Sequence, residues 1–191
     1  MLGQSSKPGI SDAQPDEPTG QPSPSAQEHR QQAPASIACA VVTISDTRTE
    51  ATDRSGTLIV EFLRAAGHAV VDRAIVPDEP SRIRPLLMQY GLRGDVDAVL
   101  LTGGTGISPR DRTFETVSEL FTKPLPGYGE LFRMLSYQEI GAAALLSRAV
   151  GGLVGSMAVL TMPGSTAAVR LAMEKLIIPE LGHIVREATK R

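Results

Sequence analysis

Two aspartates and one glycine-rich turn are the residues with the clearest chemical potential. Asp78 stands in VPDE and Asp111 in SPRD, and Thr102, Gly103, Gly104, Thr105 and Gly106 form TGGTG. Magnesium takes carboxylates together with phosphate oxygens in a near-octahedral shell and keeps several waters. Two aspartates beside a phosphate cradle therefore suit a metal–phosphate ligand. A plainer reading has Asp78 capping a helix that starts at Pro80 and Asp111 pairing with an arginine. On residue types alone both readings stand.

The turn has the composition of an anion cradle. Adjacent glycines remove the Cβ atoms that keep a ligand off the backbone and admit positive φ. Successive amides then converge on an anion as a nest, joined by the open N–H groups of a following helix. The alternative is a connection that simply needs glycine geometry. Neighbouring residues favour the cradle: Arg110, Asp111 and Arg112 follow directly. A second polar loop, SDTRTEATDRSG, brings Asp46, Thr47, Arg48 and Asp53, and a third, MPGST at 162–166, brings Gly164, Ser165 and Thr166. Two familiar phosphate motifs are excluded, because neither GxxxxGK[ST] nor GxGxxG after a first strand occurs.

The elements that must position these loops follow from hydrophobic periodicity. The run 37–45 is nearly continuously apolar and β-branched, which predicts a strand covered on both faces. Leu58, Ile59, Phe62, Leu63 and Ala66 mark the buried stripe of a helix that Gly67 stops. Strands are predicted at 68–76, 97–102 and 156–162. A helix begins at Pro80 with Ile83, Leu87 and Tyr90 inward, although Pro85 fits its interior poorly. Thr113 is expected to cap a helix reaching Leu120, and KPLPGYGE reads as a loop. Helical patterns are expected over LFRMLSYQEIG and AAALLSRAVGGL, and one long helix follows PGST. Strands alternating with helices imply a mostly parallel sheet with helices on both faces, which binds ligands beyond its strands' carboxyl ends.

Composition bounds the rest. The first 36 residues contain six prolines and no long apolar run, so residues 1–36 read as a disordered tail and 37–191 as one domain. No segment has the pattern of a secretory signal or a membrane span. The single cysteine, Cys39, reads as a buried strand residue in a cytoplasmic protein. A net charge of -2, scattered arginines and no tryptophan argue against nucleic-acid binding. The histidines His29, His68 and His183 have no ligand spacing, so zinc has no support. Tyr128, Tyr137 and Glu130 are weighed both as pocket residues and as core, interface or surface residues.

The blocks SDTRT, DRSG, VPDE, LLTGGTGISPRD, PGYGELFRMLSYQEIG, LLSRAVGGL and MPGST occur in an order that resembles the molybdopterin-binding MogA/MoaB family over residues 37–185. GELFRMLSYQEIG, and PGST in place of PGQP or PGNP, lie nearer the MoaB branch. The resemblance implies a three-layer α/β/α domain with a mostly parallel sheet, the molybdopterin-binding (MogA-like) fold, assembled as a homotrimer or hexamer. It implies molybdopterin and an adenine nucleotide as partners, with Mg2+ (magnesium) and ATP used to make adenylyl-molybdopterin and pyrophosphate. It places catalytic and metal roles on Asp78 and Asp111, and phosphate contacts on Thr102, Gly103, Gly104, Thr105 and Gly106. Further ligand contacts fall on Asp46, Thr47, Arg48, Asp53, Ser55 and Gly56, on Arg110, on Ser147 and Arg148, and on Pro163, Gly164 and Ser165. Arg48, Arg110, Arg112 and Arg148 are the candidates to neutralise reacting phosphates. The alternative is a noncatalytic molybdopterin-binding protein of the same pathway, and a wider one is a trimeric structural protein that retains an old pocket.

Overall fold

The computed structural model describes residues 34–190; residues 1–33 and 191, and with them most of the expected tail, lie outside the described part. Six strands form one sheet in the order β2-β1-β3-β6-β5-β4. They are β1 (Ala38–Ile44), β2 (Ala69–Val76), β3 (Ala98–Thr102), β4 (Lys123–Pro124), β5 (Gly151–Val154) and β6 (Met157–Met162). The pairs β1–β2, β1–β3 and β3–β6 are parallel, while β4 and β5 join antiparallel.

Alternation along the central strands builds three layers. Cys39 and Val41, Ala98 and Leu100, and Ala158 and Leu160 face one core, while Ala40 and Val42, Val99 and Leu101, and Met157 and Val159 face the other. The first core is covered by α1 (Arg54–Ala65), α4 (Pro126–Ile140), α5 (Thr166–Ala172) and α6 (Ile178–Thr189). The second is covered by α2 (Pro80–Leu92) and α3 (Thr113–Ser118). Each fully buried Leu, Ile or Phe side chain contributes about 1.5–3 kcal/mol of transfer free energy, which is why these strands are apolar on both faces.

Four expectations need correction. AAALLSRAVGGL is not a helix: a 3-10 turn spans Gly141–Leu146, and Gly151–Val154 then pairs in the sheet as β5. Gly152 has no room for a side chain, because a Cβ there would press on the Phe121 ring. KPLPGYGE is not all loop, since Lys123–Pro124 pairs with β5 and Pro126 opens α4 in the first turn, where its missing N–H is harmless. Thr113 does not cap α3; it lies inside the first turn with its hydroxyl turned to Asp78. The last helix is interrupted by a wider π segment at Met173–Ile177, where the Ile178 amide reaches back five residues to Met173. Pro179 follows at once and offers no N–H to the preceding turn. Pro85, in contrast, leaves α2 continuous, and it lies on the exposed face where water can satisfy the lost partner.

Candidate functional site

The site forms where the chain reverses its direction of travel across the sheet. From β1 the chain steps to β2 on one side and then to β3 on the other, the kind of switch point that leaves a crevice outside the strand ends. Thr43 of β1 pairs level with Thr102 of β3, and Thr102 with Met162 of β6, so all three following loops start at one height. Between them lies a cavity of about 390 Å³ lined by the ends of β1 and β3, the entrance of α1 and the entrance of α5.

The glycine turn is forced by close contacts. Gly103 has φ +104° and Gly104 φ +64°, conformations that cost little only without a Cβ. A Cβ on Gly103 would run into the Ile44 carbonyl, and one on Gly104 into the Thr113 hydroxyl and the Asp78 carboxylate. The Gly103 amide donates to the Met162 carbonyl at 3.0 Å. No acceptor among the described residues takes the next three amides, those of Gly104, Thr105 and Gly106. Three successive amides without a protein acceptor are donors that water or an anion can take.

Asp78 and Asp111 both reach this turn. Asp78 is 5% exposed and accepts from the Arg112 amide at 3.1 Å and the Thr113 hydroxyl at 3.0 Å. Burial pushes its carboxyl above the ordinary value against those two hydrogen bonds, and the charge of Asp111 adds to the rise. Asp111 accepts from the Ser108 amide at 3.0 Å, and its Oδ2 lies where a Cβ on Gly106 would collide with it. No cationic side chain pairs with either carboxylate among the described residues.

Arg148 serves this turn from behind. It donates to the Thr105 carbonyl at 3.1 Å, to the Gly106 carbonyl, and to the Asp111 carbonyl at 3.4 Å. Glu115 pairs with the same guanidinium, which lies 5.0 Å over the Phe114 ring. Arg148, expected at the ligand, here clamps the turn's own carbonyls. Ser147 is not brought to the crevice; its amide closes the 3-10 turn on Ala144.

The first loop is anchored by Asp53. Its carboxylate takes the Gly56 amide at 2.9 Å as the cap of α1, the Thr43 hydroxyl at 2.8 Å and Arg73 at 2.8 Å. Burial opposes its charge, but Arg73, the Gly56 amide and Thr43 together hold the carboxyl below its ordinary value. Ser45 shapes the same loop by accepting from the amides of Thr47 and Arg48. Arg48 lines the crevice, whereas Thr47 is exposed in the loop. Ser55 donates to the Gly164 carbonyl at 2.8 Å and Thr102 to the Pro163 carbonyl at 3.1 Å, which ties the third loop to the other two. Ser165 caps α5 through the Ala168 amide. At the rim, Arg110 grips Asp46 with two bonds of 2.6 and 2.8 Å, and Arg112 is exposed.

Sequence reasoning missed Thr43 and Arg54 as crevice walls, and Arg73 and Glu115 as supports, whereas Thr166, named with the third loop, does line the crevice. Thr43 had a visible signal, a polar residue inside an apolar strand. Arg73 and Glu115 had none, since their partners lie in distant loops. Tyr128 does not face the crevice; its hydroxyl donates to the Thr161 carbonyl from within the core. Tyr137 and Glu130 are exposed on α4. Cys39 is buried, and burial pushes its thiol up to about 12.

This geometry, an open parallel sheet with three loops around a glycine turn, has known counterparts. The model of the family described as a probable molybdopterin binding domain matches residues 40–183, and the chain belongs to that family. It is 53% identical over 167 residues to a molybdenum cofactor biosynthesis protein B of Halalkalibacterium halodurans, covering 87% of this chain and 98% of the relative. A crystal structure of a molybdenum cofactor biosynthesis protein B superposes with a TM-score of 0.81 at 54% identity, over 84% of this chain and all of that one. The tungsten cofactor synthesizing protein MoaB from Pyrococcus furiosus is more distant, with a TM-score of 0.73 at 38% identity over 82% of this chain and 99% of its own. Among the described residues no helix is long and apolar enough to cross a membrane.

Proposed function

We propose that this protein acts in molybdenum cofactor biosynthesis by transferring an adenylyl group from ATP to molybdopterin, giving adenylyl-molybdopterin and pyrophosphate. The observation that carries this reading is the run of three amides, Gly104 to Gly106, with no acceptor among the described residues, beside two carboxylates that no cationic side chain among them pairs with. The relative at 53% identity, named for the same pathway, supports the coarser role.

Asp78 and Asp111 fit magnesium. Each carboxylate is engaged by one or two donors and retains further lone pairs, and a magnesium ion needs only a few protein oxygens beside phosphate and water. Bound there, the ion supplies positive charge against the phosphate oxygens. No side-chain nucleophile is required. An oxygen of molybdopterin's terminal phosphate forms the new bond to the α-phosphorus of ATP, and the bond from that phosphorus to the bridging oxygen breaks. Pyrophosphate leaves with the electron pair. The chain's part is alignment and charge: the turn amides hold phosphate oxygens, Arg48 lines the crevice that Thr102 and Gly103 share, and Arg148 keeps the turn in shape.

The trimer belongs to the same proposal. Leu131, Met134, Tyr137, Ile140, Leu145 and Leu146 are exposed along α4 and the 3-10 turn after it, an apolar surface suited to a second copy of the chain. Light scattering should give three or six times the chain mass of 20.2 kDa, and a monomer at working concentration would reject the assembly.

The reaction is tested with purified protein, molybdopterin, ATP and magnesium. Adenylyl-molybdopterin and equal pyrophosphate are expected. Tight molybdopterin binding without either product would establish the noncatalytic binding reading instead.

A further inference from the structure

The crevice does not end at the entrance of α1. A second cavity of about 410 Å³ adjoins it between α1 and α5, and the two share Asp53, Arg54 and Thr166 as walls. We propose that this groove takes the planar, amino-bearing heterocycle of a ligand whose phosphate sits in the crevice, with Arg54 contacting the ligand at the junction. The proposal rests on the phosphate-binding reading above and adds where the ring lies and what recognises it.

Charge supports the junction. Arg110 is committed to Asp46, Arg148 to the turn carbonyls and Arg73 to Asp53. Arg54 lines both cavities and has no ion-pair partner among the described residues. A guanidinium with its donors open is suited to a phosphate arriving from either side.

The groove's walls suit a ring. Ala51 and Leu58 are apolar, Glu61 offers a carboxylate with no ion-pair partner among the described residues, and Arg170 supplies a flat cation. That guanidinium is held 5.7 Å from the Phe62 ring centre and 3.1 Å from Glu174, so it forms a fixed shelf. Heterocycles stack on guanidinium planes, and their amino groups donate to carboxylates. Glu61 also fixes the ligand's direction, because it repels a phosphate and accepts an amine. The phosphate therefore stays on the Arg54 side and the ring on the Glu61 side.

A pterin phosphate and an adenine nucleotide share this chemistry, so the test uses both. Calorimetry on the full chain with magnesium would titrate AMP, 6-hydroxymethylpterin phosphate and pyrophosphate into wild type, Ala51→Trp, Glu61→Ala and Arg54→Gln. Ala51 and Glu61 are exposed, so neither change disturbs the core, and thermal melting checks each fold. Filling the groove or removing its carboxylate should weaken the ring-bearing ligand that uses it about tenfold, with pyrophosphate changed less than about twofold. Arg54→Gln should weaken that ligand and pyrophosphate alike. Whichever probe loses affinity identifies the ring. If Ala51→Trp and Glu61→Ala leave both ring-bearing probes at wild-type affinity, the proposal is overturned. It is overturned too if wild type binds pyrophosphate and neither ring. Absence of pyrophosphate binding would overturn it together with the phosphate reading, whereas binding without adenylyl transfer would sink only the reaction and leave the groove standing.

Discussion

The entrance of α1 and the loop after β2 each hold a buried aspartate, and the two are treated in opposite ways. Asp53 is 2% exposed and meets a guanidinium, a helix-cap amide and a hydroxyl; Asp78 is 5% exposed and meets an amide and a hydroxyl with a second carboxylate nearby. The first is held below its ordinary pKa, and the second is pushed above it. Burial of a carboxylate with a cationic partner fastens a loop. Burial without a paired guanidinium leaves the Asp78 carboxyl raised, although the charge of Arg110 partly offsets it, and such a carboxyl suits the proposed magnesium role.

The largest effect should come from the acids beside the glycine turn. Asp78→Asn is expected to lower magnesium-dependent turnover by about a hundredfold or more while leaving the fold intact, since it removes charge from the reacting site. If this variant and Asp111→Asn kept normal magnesium-dependent kcat, the metal assignment would fail. At the α1 entrance the same kind of change should read out as stability. Asp53→Ala loses a cap and leaves Arg73 without its carboxylate, at about 2–4 kcal/mol in urea unfolding. Loss of activity without loss of stability there would contradict the contrast.

Arg148→Lys keeps a charge and loses the planar fork that reaches three carbonyls and Glu115. We expect kcat to fall about tenfold, with a smaller effect on stability. Uniformly weaker ATP binding with kcat unchanged would instead make Arg148 a ligand contact.

The pH dependence separates the two acids more finely. Asp53, depressed in the folded state, contributes stability that is present above the ordinary carboxylate pKa and is lost as pH falls through its lowered folded value. Asp78, raised in the folded state, contributes stability below the ordinary value that is lost as pH rises through its folded pKa. Asp78→Asn should therefore melt at the same or a slightly higher temperature than wild type at neutral pH. Asp53→Ala should melt lower at neutral pH and approach wild type in acid. Magnesium binding should weaken, as pH falls, earlier than an unperturbed aspartate would allow.

The parallel half of the fold was legible because its signals are local. β1, β3 and β6 are apolar on both faces, and helix stripes such as Ile59 and Leu63 repeat at the right period. The antiparallel edge was not, since β4 holds only Lys123 and Pro124 and β5 begins with two glycines, neither of which has strand character apart from its partner. The same divide runs through the site. The glycine turn and its two aspartates were readable from residue types at strand ends. The contacts of Arg148 with carbonyls more than forty positions earlier in the chain have no local signal in the sequence. Arg73 and Arg54 were missed because nothing local distinguishes one surface arginine from another.

The most direct measurement is single-turnover transfer by wild-type protein and Asp78→Asn, with molybdopterin, ATP and a magnesium titration. The account predicts adenylyl-molybdopterin and pyrophosphate in equal amounts from wild type, saturating with magnesium, and almost none from the variant. Equal product from both proteins, or product independent of magnesium, would contradict it.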